Sequence, residues 1–187
     1  IPLRLVGSEM CIRDSNYSLD FGGNVDYVEL SATDNFDFSD EQQLTISAYV
    51  KALGNNEVIF QAEESFGYYM GTHNEGEFAL TMYFDGYEDL CISSTDITDG
   101  NWHHVVGAYD GSSIKIYVDG ELENTCDAGV LVSQDQSSPI TIGAYRAGES
   151  NYQWNGSMDE LNIWNTSLSE DDVVGLLSAD TIISSDN

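Results

Sequence analysis

The chain has 187 residues, with 33 acidic against 5 basic side chains and a formal net charge of −28. That length and an apolar fraction of 41 % allow one domain with a substantial core and argue against a wholly disordered chain. The charge excludes nucleic acid and anionic membrane surfaces as partners, because phosphate binding needs clustered Lys or Arg; no apolar run is long enough for membrane insertion. It suits a cation or a cationic partner, or simply a solvated surface in salty surroundings.

Residues 1–15, IPLRLVGSEMCIRDS, have no clean strand or helix period and carry Arg4 and Arg13. They read as an artefactual leader rather than a signal peptide, since Arg4 interrupts the apolar stretch and no small-residue cleavage site follows. The folded domain is expected over 16–178. Residues 179–187 read as a tail or the start of a linker, so that a larger parent with other domains is expected.

Strand patterns recur at short spacing from Ser18 onward. After the opening strands they run over Glu57–Glu63, Phe66–Thr72, Glu77–Phe84 and Tyr87–Ser93, with a brief turn at Phe38–Glu41. The next stretch, NWHHVVGAYDGSSIKIYVDG from Asn101 to Gly120, alternates most clearly. Trp102, His104, Val106 and Ala108 share one face, and His103, Val105, Gly107 and Tyr109 the other; Ile114, Ile116 and Val118 then alternate with polar neighbours. Asp110-Gly111 and Asp119-Gly120, like Asp85-Gly86, supply the positive-φ residues that tight hairpin turns need. Further strands are expected at Glu121–Cys126, Ile140–Tyr145 and Asp159–Asn165. A short helix is expected over Glu170–Leu177, with Ser169 as N-cap and acids in its first turn. Many short strands and one late helix predict an all-β fold, two antiparallel sheets in a sandwich. Trp102, His104, Val106, Ile114, Ile116, Val118, Leu161 and Ile163 are the expected buried set.

The segments SLDFGGNVDYVEL (Ser18–Leu30), LTISAYVKA (Leu44–Ala52), NWHHVVGAYDG…IYVDG, ITIGAY (Ile140–Tyr145) and WNGSMDELNIWNTSLSEDDV (Trp154–Val173) resemble those of LamG-like jelly-roll domains. These belong to the concanavalin A-like lectin/glucanase superfamily, with laminin G modules and pentraxins. The resemblance covers roughly residues 16 to 177 and implies a jelly roll. It departs at Tyr49, where the family usually has Trp, and at Ser157-Met158, where a β-branched residue is more usual; both replacements still fill a core-facing surface.

Cys91 and Cys126 lie within the expected domain and Cys11 in the leader. Two cysteines at strand ends read either as one disulfide, Cys91–Cys126, formed in an oxidising compartment, or as two small core residues. The mostly extracellular family favours the disulfide, with Cys11 unpaired.

Alternation groups Asp159 with Leu161 and Ile163, the apolar set, where a carboxylate needs amide donors, a cation or a proton. The resemblance implies a structural Ca²⁺ there, held by Asp159 with the loop Gly22-Gly23-Asn24 and flanked by Asp20 and Asp26; an amide cap without metal is the alternative. His103 and His104 point to opposite faces and cannot converge on one site, and His73 lies elsewhere. No G-x-S-x-G elbow or Cys–His arrangement is present. The glucanase branch of the superfamily places its acids as Glu-x-Asp-x-(x)-Glu on one strand, and this chain has no such run.

Phe66, Tyr68, Tyr69, Tyr83, Phe84, Tyr87, Tyr145, Tyr152 and Trp154 suit either strand filling or stacking on sugar rings. Tyr68, Tyr145, Tyr152 and Trp154 are the expected ligand contacts. Asn16-Tyr17-Ser18, Asn155-Gly156-Ser157 and Asn165-Thr166-Ser167 match the N-glycosylation acceptor pattern. The expected function is a non-catalytic, secreted or cell-surface binding or adhesion module, possessing rim loops that recognise a glycan or an extracellular protein. A glycan-active enzyme and a purely structural spacer are the alternatives.

Overall fold

A computed structural model describes residues 18–24, 26–30, 36–62, 67–84, 87–132, 139–146 and 151–181, with side chains as far as 177. The leader with Cys11, Asn16, Phe66, Asp85-Gly86 and the last tail residues lie outside the described residues.

Among these residues the strands are β1 (Leu19–Gly22), β2 (Val28–Leu30), β3 (Leu44–Ala52), β4 (Val58–Ala62), β5 (Tyr68–Thr72) and β6 (Glu77–Phe84). They continue as β7 (Tyr87–Asp96), β8 (His103–Tyr109), β9 (Ser113–Val118), β10 (Glu121–Asp127), β11 (Ile140–Ile142) and β12 (Asn155–Trp164), before the helix α1 (Glu170–Thr181). Each sheet has six strands, ordered β1-β12-β3-β8-β9-β10 and β2-β11-β4-β5-β6-β7. Every described pairing is antiparallel. The expected two-sheet jelly-roll sandwich with one helix is therefore the fold. Among the described residues no helix is long and apolar enough to cross a membrane.

The inner faces follow period two. Ile46, Ala48 and Val50 of β3, Phe60 and Ala62 of β4, Tyr68 and Met70 of β5, and Leu80 and Met82 of β6 join one buried cluster between the sheets. Strand β8 is buried on both faces. Val105 and Tyr109 enter that cluster, while Val106 and Ala108 face outward under Val173 of α1. The helix starts where the Ser169 Oγ accepts the Asp172 N–H (3.2 Å) and Asp172 Oδ2 accepts the Ser169 N–H (3.0 Å). At the β9–β10 hairpin Asp119 (φ 51°) and Gly120 (φ 84°) form the two-residue turn their sequence announces.

Three differences from the alternation pattern have physical causes. Trp102 is 44 % exposed, because it lies just before β8 and outside the sheet ladder. β12 begins four residues earlier than expected: Asn155-Gly156-Ser157 pairs with β1 on one side and with β3 on the other. A bulge between Asp159 and Asn162, with Glu160 at φ 49°, shifts the phase of β12. Ile163 therefore faces the core opposite Ile46, but Asp159 stands opposite Tyr49 on the outer face.

At one open side the sandwich is closed covalently and by hydrogen bonds. Cys91 of β7 and Cys126 of β10 form a disulfide with a Cα–Cα distance of 5.7 Å. Beside it Glu123 Oε2 accepts the Ser94 and Thr95 N–H groups at 2.7 and 2.9 Å, and Asn124 Nδ2 donates to the Ile92 carbonyl at 2.9 Å. Burial raises the Glu123 pKa, but hydrogen bonds from the Thr95 hydroxyl and from the Ser94 and Thr95 N–H groups outweigh it and hold the carboxyl below its usual value.

Candidate ligand-binding face

The expected ligand contacts divide by burial. Tyr68 and Trp154 are 1 % and 0 % exposed and belong to the core, so they offer no surface to a ligand. Tyr145 is half-buried and Tyr152 is exposed, and their ring centroids lie 5.8 Å apart. The residue after Tyr68 takes the place expected for it. Tyr69 points outward from β5, and its ring meets Tyr145 edge-on at 5.7 Å. Tyr83 of β6 follows at 6.4 Å from Tyr69. Four tyrosines thus run in series, Tyr83–Tyr69–Tyr145–Tyr152, on the outward face of the second sheet. The guanidinium of Arg146 sits 5.0 Å from the Tyr145 ring centre, within cation–π range.

Strand order brings this row together. Register places Thr141 of β11, Gln61 of β4, Tyr69 of β5 and Thr81 of β6 side by side across the sheet. Thr141, Gln61 and Thr81 are at most 2 % exposed although they face outward, so a dense layer covers them. Burial lifts the Tyr69 phenol above its ordinary pKa. Burial, with a hydrogen bond to Glu88, does the same more strongly at Tyr83. Both phenols are neutral donors at physiological pH.

Tyr152 has a φ of 60° and depends on its supports. Its carbonyl accepts the Val58 N–H (3.0 Å), and the Trp154 N–H donates to Gly143 (2.9 Å). Glu57 Oε2 accepts the Asn155 N–H at 2.9 Å. A side chain at Gly54 would meet Glu57 Oε1 at 1.9 Å, so glycine there makes room for the carboxylate. Burial pushes the Glu57 carboxyl up to about 7, against the lowering effect of the Asn155 amide.

The expected calcium ligands divide, with Asp159 apart from the Gly22-Gly23-Asn24 loop. Gly22 pairs with Asn155 and Leu19 with Met158, which sets Asp159 beyond the opposite end of β1, about 13 Å along the strand from Gly22. Asp159 is also on the outer face, and its Oδ1 accepts the Glu160 N–H at 2.9 Å. Asp20 accepts the Ser157 hydroxyl, Asp26 the Gly22 N–H at 2.9 Å, and the Asn24 amide donates to the Gly22 carbonyl at 3.2 Å. Among the described residues no three His, Cys, Asp or Glu side chains gather as a metal-ion set.

The histidines separate as alternation requires. His104 is buried against Tyr49, with ring centroids 4.7 Å apart. His103 lies between two carboxylates, Nδ1 at 2.8 Å from Asp119 and Nε2 at 3.1 Å from Asp99. Burial lowers its pKa, but the two aspartates outweigh that and raise it.

The Laminin_G_3 family model, described as the concanavalin A-like lectin/glucanases superfamily, matches residues 21–174. C-reactive protein 1.4 of Limulus polyphemus is 27 % identical over 143 residues, 70 % of this chain; the chain spans 53 % of that relative's length. The binding domain of Paraclostridial Mosquitocidal Protein 1 superposes with a TM-score of 0.67 at 18 % identity, over 84 % of this chain and 42 % of that one. The CBM40 of a Ruminococcus gnavus IT-sialidase, solved with α2,3-sialyllactose, superposes with a TM-score of 0.65 at 16 % identity, over 85 % and 95 %.

Proposed function

This chain belongs to the concanavalin A-like lectin/glucanases superfamily, and from that premise we propose that it is a non-catalytic module that binds a glycan on the outer face of its second sheet. The observation that carries this reading is the unbroken series Tyr83–Tyr69–Tyr145–Tyr152 with Arg146 stacked on it. Aromatic rings take the CH faces of sugars, and phenols and a guanidinium take their hydroxyl edges. The CBM40 and the toxin binding domain resemble this chain in fold, which is consistent with such a role. The absence of a Glu-x-Asp-x-Glu strand speaks against hydrolysis. The disulfide fits a secreted or cell-surface location and an oxidising compartment. Calcium is not part of this reading, since Asp159 and the Gly22 loop stand apart.

The test is a glycan array with and without chelator, scored for retention and for release of reducing ends. Retention without release is expected, insensitive to chelator. Tyr145→Ala and Tyr152→Ala should each weaken it about tenfold, the loss of roughly 1.4 kcal/mol that truncating an anchoring aromatic produces. Retention unchanged in the double variant would move the site elsewhere. Capture of an extracellular protein with no glycan retained would replace the glycan by a protein partner.

A further inference from the structure

The sequence holds three acceptor triplets that look equivalent, Asn16-Tyr17-Ser18, Asn155-Gly156-Ser157 and Asn165-Thr166-Ser167. The fold distinguishes the last two. Asn155 opens β12 and is held on several sides. Its N–H donates to Glu57 Oε2 at 2.9 Å, its carbonyl accepts the Leu53 N–H at 3.0 Å, and its Cβ lies 2.9 Å from where a side chain at Gly23 would begin. The hydroxyl of its triplet, on Ser157, is bonded to Asp20. A sugar chain there would also stand beside Tyr152.

Asn165 is different. It directly follows the last residue of β12, sits in a bend, and is exposed. The residues after it are fastened to β3 and its approach. The Thr166 carbonyl accepts the Thr45 hydroxyl at 2.7 Å, Gln43 Oε1 accepts both the Thr166 hydroxyl and the Ser167 N–H at 3.3 Å, and the Leu168 N–H donates to Thr45 Oγ1 at 2.9 Å. The bend is thereby fixed with Asn165 exposed. It stands at the opposite end of β12 from Asn155, about 30 Å away, at 3.3 Å per residue with one residue taken up by the bulge.

We propose that, of the two acceptor triplets in the described residues, Asn165 is N-glycosylated, carrying an oligosaccharide at the end of β12 remote from the tyrosine series, and that Asn155 is not modified. In the transfer, a bond forms between Asn165 Nδ2 and C1 of the first sugar of a lipid-linked oligosaccharide diphosphate. The C1–O bond to the diphosphate breaks, the lipid diphosphate leaves with the electron pair, and the amide gives up one proton. The donor lipid belongs to the secretory compartment, the same oxidising setting in which the Cys91–Cys126 bridge forms.

The experiment places the full chain behind a cleavable secretion signal in a eukaryotic cell and purifies it from cells and medium together. Amidase release of N-glycans in heavy-oxygen water labels each formerly glycosylated asparagine. Cleavage at acidic residues then maps the label, since 5 basic residues give trypsin few sites. The expected result is label at Asn165 in most molecules and none at Asn155. In a chain that also carries Asn16→Gln, Asn165→Gln should remove the glycosidase-sensitive mass, and Asn155→Gln should leave it unchanged. An unlabelled Asn165, or label at Asn155 equal to that at Asn165, overturns the assignment. Because the label is read on the parent protein, poor yield of either variant leaves that decision intact.

Discussion

Removing the Cys91–Cys126 bridge should weaken the domain by an amount the topology sets. The bridge closes a segment with a sequence separation of 35, containing β8 and β9, and joins an edge strand of each sheet. On the chain-entropy model, a loop of that length stabilises the fold by about 4 kcal/mol, by restricting the unfolded chain. That is a large share of the roughly 5–15 kcal/mol by which a domain is stable. The native packing should survive, because Glu123 still spans to Ser94 and Thr95, and Asn124 to Ile92. The double variant Cys91→Ala, Cys126→Ala should therefore keep its near-UV spectrum and its ligand while unfolding about 8–15 °C lower, at some 2–4 °C per kcal/mol for a chain of this size. Urea unfolding should also give a larger m-value, since the unfolded chain expands once the cross-link is gone. A stability difference below about 1 kcal/mol, with an unchanged m-value, would refute the loop-entropy reasoning and make the bridge a passive feature of the edge.

Three further outcomes follow from ionisable groups. His103 has a carboxylate at each ring nitrogen, so only the imidazolium donates to both. Its folded pKa is raised, so its stabilisation is complete below the ordinary histidine value and is lost as pH rises through the folded value; unfolding midpoints compared across that window should fall less in His103→Gln than in the parent. Glu123 has a lowered pKa, so its contribution is present above the ordinary carboxyl value and disappears as pH falls through the folded one. Glu123→Gln should cost about 1–2 kcal/mol at neutral pH, measured by urea denaturation, through loss of charge-assisted bonds to Ser94 and Thr95. Glu57 behaves in the opposite sense to Glu123: with its carboxyl pushed up from 4.5 to about 7, the folded state keeps a proton that the unfolded chain has released. Stability should drop by about 1–2 kcal/mol between those two values after allowance for solvent screening, and Glu57→Gln should be flat there. An equal pH response in parent and variant would remove Glu57 from that account.

Local chemistry was enough to read the strands, several turns and the helix start. The Asn101–Gly120 stretch alternates, Asp119-Gly120 is a two-residue turn, and Ser169 caps a helix, each as its neighbours in sequence dictate. The site was harder. Tyr68 and Tyr69 are adjacent and chemically identical, and only the face decides which one is turned outward. The available signal was Met70: an apolar residue two positions from Tyr68 places Tyr68 inward and Tyr69 outward. No comparable signal existed for Asp159. One extra residue in β12 reverses its face, and a bulge at Glu160 leaves no mark in the pattern of Asp159-Glu160-Leu161.

By itself the sequence determined what depends on neighbours along the chain: alternation, turn residues, the cap, and hence a β-sandwich. Tertiary structure alone decided which residues from distant segments meet. Tyr69 and Tyr83 come from adjacent strands, but Tyr145 and Tyr152 lie some seventy residues later and join them only because β11 enters the sheet beside β4. Backbone hydrogen bonds between strands carry no side-chain identity, so strand order and register, which create the tyrosine series, arise from packing of the whole domain rather than from any local motif.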